Sequence, residues 1–403
     1  VLLGLFVVAL LLHGADLEEL PQSGAAVPAS PSPAQREPLV PTPTPTSEAT
    51  VQIGQSSATA TPSTAMATAT PSTAVASAVT ATMEPTESTV SQQVASPRPT
   101  LVSVRDRFGF GVAIEPIERY DVGQLHAGWY LTWGCQPNPA PPQGLEFVQM
   151  IRVRGGQVSP GVAELDAIAR SNPGALWLVG NEPDVLWQDN STPDEYAQAY
   201  SEAYTTLKGA DPTCQVAIGG VSQPSALRLK YLDMVLDAYR ERYGQMIPVD
   251  VWNVHGFILR EEQGSWGVDI PPGISAETGR LFEMEDHDDM ELFQEQILAF
   301  RRWMKDKGER NKPLVVSEYG ILMPAEYGFS QESARDFLYA TFDFFLTATD
   351  AELGYPADGN RLVQRWAWYS LSDTLYPTGN LFDPETAQIT PLGLAYGSYV
   401  LSH

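Results

Sequence analysis

Residues 101–403 predict a (β/α)8 TIM barrel, a fold of the α/β class, and three features of the sequence carry that prediction. Eight short segments rich in apolar and aromatic residues recur along this stretch, segments with helical spacing lie between the later ones, and polar or acidic residues stand where several apolar segments end. Strands buried on both faces read as such near-continuous apolar runs. A strand and helix alternation of this length closes best into one barrel. An open doubly wound sheet is the other arrangement of the same elements, but no glycine-rich phosphate fingerprint follows the first strand.

In chain order the strands are "FGFGVAI" (108–114), "AGWYLTW" (127–133), "EFVQMIRV" (146–153), "ALWLVG" (175–180), "QVAIGGV" (215–221), "VDVWNVHGF" (249–257), "PLVVSEYG" (313–320) and "RLVQRWAWYS" (361–370). Four helices separate the later ones. "TPDEYAQAYSEAYTTLKG" opens with Thr192 as N-cap and Pro193 in the first turn. "ALRLKYLDMVLDAYRERYG" and "DMELFQEQILAFRRWMKDKG" each run to a glycine, and "SQESARDFLYATFDFFLTA" follows the same periodicity. The acidic "MEDHDDME" (284–291) is read as a solvated turn capping the helix that begins near Asp289, rather than as a metal site. Asn190-Ser191-Thr192 fits a glycosylation sequon, and its main role is read as the helix entry.

The first hundred residues are of another kind. Residues 1–20 open with the apolar run "VLLGLFVVALLL", which is too short for a membrane span of about 20 residues and reads as a partial signal peptide, with an uncleaved signal anchor as the alternative. Residues 21–100 are Pro, Thr, Ser, Ala and Val with no Trp, Tyr or Phe, so they have too little to bury to offset the entropy of ordering. The reading is a disordered low-complexity linker, either a spacer holding the domain off a cell surface or a passive tail. Export follows, to the extracellular space or the cell surface, with tethering through the N-terminal segment left open.

Charge and cysteine usage exclude several classes. Residues 1–100 hold two basic and seven acidic residues, a net of −5, leaving −20 of the total −25 on the remainder. A domain this acidic repels nucleic acid and anionic membranes, and no basic run reverses that. Neutral substrates remain. The two cysteines, Cys135 and Cys214, fall at opposite ends of the predicted barrel and are read as free thiols. No cysteine and histidine cluster has zinc spacing, no cofactor is expected, and the protein is read as a monomer.

In a barrel the catalytic groups gather at the C-terminal ends of the strands. The fourth strand leaves the core as "GNEPD", with Asn181 and Glu182; the sixth ends at Asn253 and His255; the seventh at Ser317, Glu318 and Tyr319; the eighth carries Trp366, Trp368 and Tyr369. A carboxylate where a chain leaves the core is costly unless paired, solvated or used. Two of them at one mouth are what glycosidic cleavage needs, one protonating the leaving oxygen and the other attacking the anomeric carbon or activating water. Burial and neighbouring negative charge raise one of the two pKa values. The aromatic rings offer flat apolar faces to a pyranose.

Asn-Glu-Pro on the fourth strand, the lone glutamate of "VVSEYG" on the seventh and the tryptophan-rich last strand together resemble the clan A glycoside hydrolases, retaining enzymes on a (β/α)8 barrel. Within the clan, "GWYLTWG", "FVQMIRV" and "GNEPD" are loosely similar to the small-barrel catalytic domains of endo-β-1,3-glucanases. The resemblance implies that Glu182 is the general acid/base and Glu318 the nucleophile. It implies that Asn181 bonds the sugar 2-hydroxyl, that His255 contacts substrate or a catalytic carboxylate, and that Trp368 or Trp366 forms the stacking platform. The clan often steers its nucleophile with an arginine near an early strand end, a place where Arg152 and Arg154 stand without a clear match. The function so implied is an exported hydrolase of a polysaccharide, with β-glucan as a candidate. A non-catalytic carbohydrate-binding surface protein on the same barrel is the alternative. Trp266, in the long segment after the sixth strand, is either an outer sugar platform or a packed loop anchor.

Overall fold

The computed structural model describes residues 103–139 and 141–403, so the segments read above as a signal and a linker lie outside the described residues. The strands are β1 (Phe108–Gly111), β2 (Trp129–Leu131), β3 (Glu146–Arg154), β4 (Gln157–Ser159), β5 (Leu176–Asn181), β6 (Gln215–Gly220), β7 (Trp252–His255), β8 (Leu314–Tyr319) and β9 (Arg365–Trp368). All but β4 are parallel to their neighbours, in the order β6-β5-β3-β2-β1-β9-β8-β7, while β4 folds back antiparallel on β3. The ring closes between β6 and β7 through two bridges only, Ala217 with Val251 and Val221 with Val254. The eight-stranded barrel is therefore present. Each predicted strand contains its observed one to within a residue or two, and β4 is the one addition.

Helices cover the barrel unevenly. Val162–Ser171, Pro193–Ala210, Ala226–Tyr243, Met290–Asp306, Gln331–Thr347 and Pro391–Ser402 follow the later strands, whereas the connections after β1 and β2 contain only short 3-10 turns. After β2 the reason is local: "QPNPAPPQG" before β3 carries four prolines, each of which removes a helix donor and clashes with the preceding turn. The caps follow the sequence signals. Thr192 and Glu195 form a reciprocal capping box, and the side chains of Ser225, Asp289 and Ser330 each accept a first-turn N–H. Both cysteines are free, as expected. No helix among the described residues is long and apolar enough to cross a membrane.

Two apolar cores result. The barrel interior holds Trp129, Leu131, Val148, Met150, Leu178 and Val315 among others, and a larger cluster fills the layer between strands and helices. The Trp129 ring is admitted because its in-register neighbour on β1 is a glycine. Gly109 pairs with both Trp129 and Ala367, and a Cβ on Gly109 would stand 2.3 Å from that ring. With Ala367 facing inward, Trp366 and Trp368 point outward to the helices.

Candidate functional site

Three strand ends meet at the C-terminal mouth, and two of them leave regular geometry to aim a side chain. At the end of β5, Gly180 adopts φ +97° and Glu182 φ +45°. The first is open to glycine alone at little cost, while the second is a left-handed conformation that costs a side-chain-bearing residue about 1 kcal/mol or more. Along β8, Val315 faces the interior and strict alternation would place Ser317 there too; a register shift between Val254 and His255 instead sets Glu318 opposite His255. On β7 regular alternation suffices, since Val251 faces inward and carries Asn253 and His255 with it. His255 in turn occupies space that Gly220 vacates, where a Cβ would stand 2.4 Å from its Cδ2.

The result is a single cluster. His255 Nδ1 lies 3.0 Å from Glu182 Oε1 and its Nε2 lies 3.5 Å from Glu318 Oε1, so one imidazole sits between the two carboxylates. One oxygen of each carboxylate and a ring nitrogen of His255 all fall within 4.8 Å of one another. Trp133 Nε1 donates to Glu318 Oε1 at 2.7 Å. His255 is fully buried, and Glu182 and Glu318 are 8% and 5% exposed.

Burial pushes the Glu318 carboxyl up to about 7, with the negative charge of Glu182 adding to it and the His255 charge and the Trp133 N–H opposing. Burial alone would lower the pKa of His255, but the charges of Glu318 and Glu182 outweigh it and the net direction is upward. The raised carboxyl is thus Glu318 of β8, where the resemblance needs an ionised nucleophile at the moment of attack.

Glu182 and Glu318 open onto a cleft of about 210 Å³ bordered by Trp187, Phe257, Trp266, Tyr327, Tyr369 and Tyr376. Its lining contains no lysine, arginine or aspartate. Behind the cleft Trp133 and Tyr369 meet edge to face at 5.6 Å, and Tyr369 is 6.2 Å from Tyr376. The rings that border the cleft, and not Trp366 or Trp368, form the aromatic surface of the mouth. Trp366 and Trp368 are fully buried in the outer layer, against Phe108 and Phe345 and against Tyr319 respectively, and Trp368 donates to Gly379 O. No sugar can stack on them. Trp266 does border the cleft, on the loop that follows β7.

The remaining sequence candidates fall into place around this centre. The Asn181 backbone N–H donates to Asp189 Oδ2 at 2.7 Å, and its buried Oδ1 has no hydrogen-bond partner, as is also true of both side-chain polar atoms of Asn253. Arg152 does not bond Glu318: its Nε donates to Asp189 Oδ1 at 2.7 Å, and Asp189 ties β3 to β5 by also accepting from Val153 N and Asn181 N. Arg154 lies 3.8 Å from the same carboxylate. The acidic turn before Asp289 caps its helix as read, but His287 within it is buried, its Nδ1 at Ile258 O and its Nε2 accepting from Leu322 N, which joins the loops after β7 and β8. Sequence reasoning missed Trp133 and Asp189. Trp133 could have been found, because it shares the parity of the inward-facing Trp129 and Leu131; Asp189, eight residues past the strand end, gives no such signal.

Residues 110–266 match the family model described as glycosyl hydrolase catalytic core. No curated protein matches the chain. Among solved structures, a family 128 (subgroup II) endo-β-1,3-glucanase from Pseudomonas viridiflava is similar at a TM-score of 0.50 and 17% identity, over 72% of this chain and 97% of that one. A subgroup II endo-β-1,3-glucanase from Sorangium cellulosum gives a TM-score of 0.49 and 19% identity, over 72% and 98%. A subgroup I endo-β-1,3-glucanase from Amycolatopsis mediterranei, in complex with laminaritriose, gives 0.49 and 18%, over 72% and 98%.

Proposed function

We propose that this chain, with its glycosyl hydrolase catalytic core, is a retaining hydrolase of a neutral β-glucan, with β-1,3-glucan as the substrate. The observation that carries the reading is the Glu182, His255 and Glu318 cluster at the cleft floor. Carboxyl groups about 5–5.5 Å apart serve double displacement, whereas inversion needs about 6.5–9.5 Å to admit water between them. Oxygens of the two glutamates within 4.8 Å of each other favour the first. A cleft whose only charged lining groups are carboxylates also disfavours uronate or sulfated chains and leaves neutral glycans.

The chemistry then runs in two steps. Glu318 attacks the anomeric carbon as the glycosidic C–O bond breaks, and Glu182 gives its proton to the departing oxygen, leaving a glycosyl ester on Glu318. Glu182, now ionised, takes a proton from water; the resulting hydroxyl attacks the anomeric carbon and releases Glu318 as a carboxylate. His255, bonded to Glu182 and facing Glu318, holds the pair in register and offsets part of its charge. Asn181 and the aromatic surface around Tyr369 supply sugar contacts. The substrate is assigned by analogy with the Pseudomonas viridiflava enzyme that shares the barrel. The apolar start and the Pro/Thr/Ser/Ala composition of residues 21–100 support export, to the surface or beyond it.

The test uses residues 101–403 on β-1,3-glucan, mixed-linkage glucan, xylan, mannan and cellulose, reading released reducing ends beside a Glu318→Gln control. Release from β-1,3-glucan that the control abolishes is the expected result. Binding without cleavage in both proteins would favour a carbohydrate-binding surface module, and cleavage of another glycan would reassign the substrate.

A further inference from the structure

Arg228 stands in the first turn of the helix Ala226–Tyr243, where the helix dipole disfavours a cation, and it is fully buried. Helix stability does not account for such a residue. Its partners do. Nε donates to Ser222 Oγ at 2.6 Å and lies 2.8 Å from Asp184 Oδ2, while Nη1 donates to Glu261 Oε1 at 2.5 Å. Nη2 donates to the carbonyl oxygens of Val268 at 2.9 Å and Asp269 at 3.2 Å.

These acceptors belong to three separate segments. Asp184 lies two residues past Glu182, Ser222 follows β6, and Glu261, Val268 and Asp269 sit in the loop after β7 whose Trp266, Gly267 and Val268 border the cleft. Glu261 also fixes the return arm of that loop: its Oε2 accepts from Arg280 N at 2.7 Å, and its backbone bonds Arg280 O and Gly279 N. One guanidinium therefore spans the distance between the cleft wall and the strand end that carries Glu182. A planar fork of donors can do this, whereas a lysine ammonium can keep an ion pair but cannot also reach both carbonyls.

We propose that Arg228 is a positioning residue for substrate binding: it sets the wall at Trp266–Val268 against the Glu182 strand end before substrate arrives, so that the cleft is preformed on that side. The proposal rests on the glycosidase reading of the cleft. Its test compares the parent with Arg228→Lys and with Glu261→Gln, by steady-state kinetics on laminarin oligosaccharides and by amide hydrogen exchange.

In Arg228→Lys, KM rises about tenfold with kcat within about threefold of the parent. Exchange across 259–280 speeds by about tenfold while the barrel strands keep their protection. Glu261→Gln gives the same pattern at smaller size. Unchanged KM and exchange in Arg228→Lys overturn the proposal. So does faster exchange throughout the barrel, which marks a general stabilising role, or a fall in kcat at constant KM. If the parent cleaves no glycan, the glycosidase reading fails on its own, and the exchange comparison still decides whether Arg228 holds the wall.

Discussion

Glu182 and Asp184 are two residues apart, and each belongs to a buried trio of two carboxylates and one base. The trio of Asp184, Glu261 and Arg228 is fully buried and saturated: Ser222, Ser225 and the Arg280 N–H supply further donors, and every nitrogen of the guanidinium has a partner. The trio of Glu182, Glu318 and His255 borders a cleft, uses an imidazole whose charge can change, and stands among buried polar atoms without hydrogen-bond partners, on Asn181, Asn253 and His255. Buried polar groups are normally satisfied, so a concentration of exceptions marks the place where a ligand is to provide the missing partners. The same chemical inventory is thus closed off as a joint in one case and, on the proposed reading, open to a substrate in the other. What separates them is access and the number of donors, not burial.

The widest separation comes from removing one member of each trio. Glu318→Gln lowers kcat on β-1,3-glucan by about 10⁴-fold or more, the order expected for loss of a nucleophile, with the fold intact by circular dichroism. The stability effect of this change has a defined sign. Glu318 is raised from 4.5 to about 7, so the stabilisation it gives is complete below about 4.5 and is lost as pH rises through about 7. The melting temperature of Glu318→Gln should therefore gain on the parent across that window and hold a constant lead above it. Loss of stability at pH 8 would contradict the burial argument.

Arg228→Leu breaks the other trio, leaving two uncompensated buried carboxylates, and costs about 3–5 kcal/mol in denaturant unfolding. A cost below about 1 kcal/mol, the size of an exposed pair, would show that this trio is not the joint described. Glu182→Gln, in the same trio as Glu318, has the smaller effect of its two carboxylates. It slows cleavage of glucan by about 10²–10⁴-fold, as loss of a general acid does, but slows much less the glycosylation step with aryl glycosides whose leaving group needs no proton.

The smallest effect is a shift in pH profile. Turnover requires an ionised Glu318, so kcat/KM of the parent falls on the acid side with a midpoint near about 7. The Trp133 N–H favours the charged form, and Trp133→Phe moves that midpoint to higher pH. A midpoint that stays put would remove Trp133 from the electrostatics of the site.

Much of this was legible in the sequence because barrel strands are short apolar runs with punctuated ends. All eight stood out, and Glu182, His255 and Glu318 could be placed at one mouth from strand order alone. The facing of Trp366 and Trp368 was not legible by parity, since the Trp-Ala-Trp run is apolar on both faces; the clue lay elsewhere, in Gly109 and Ala367 making room for Trp129 inside. The turn of Glu318 toward His255 depends on a register shift that alternation does not foresee. Arg228 was invisible for a different reason: its partners lie up to 44 residues upstream and 41 downstream, and only the closed barrel brings them together.

The central claim is that Glu318 forms a covalent bond to sugar while Glu182 manages the proton. Incubation of residues 101–403 with a 2-deoxy-2-fluoro-β-laminaribiosyl fluoride, followed by intact mass and peptide mapping, tests it most directly. The account predicts one added fluoroglycosyl unit, carried by Glu318 and absent from Glu318→Gln. An adduct on another carboxylate, or cleavage of glucan that yields the inverted anomer with no adduct at all, would contradict it.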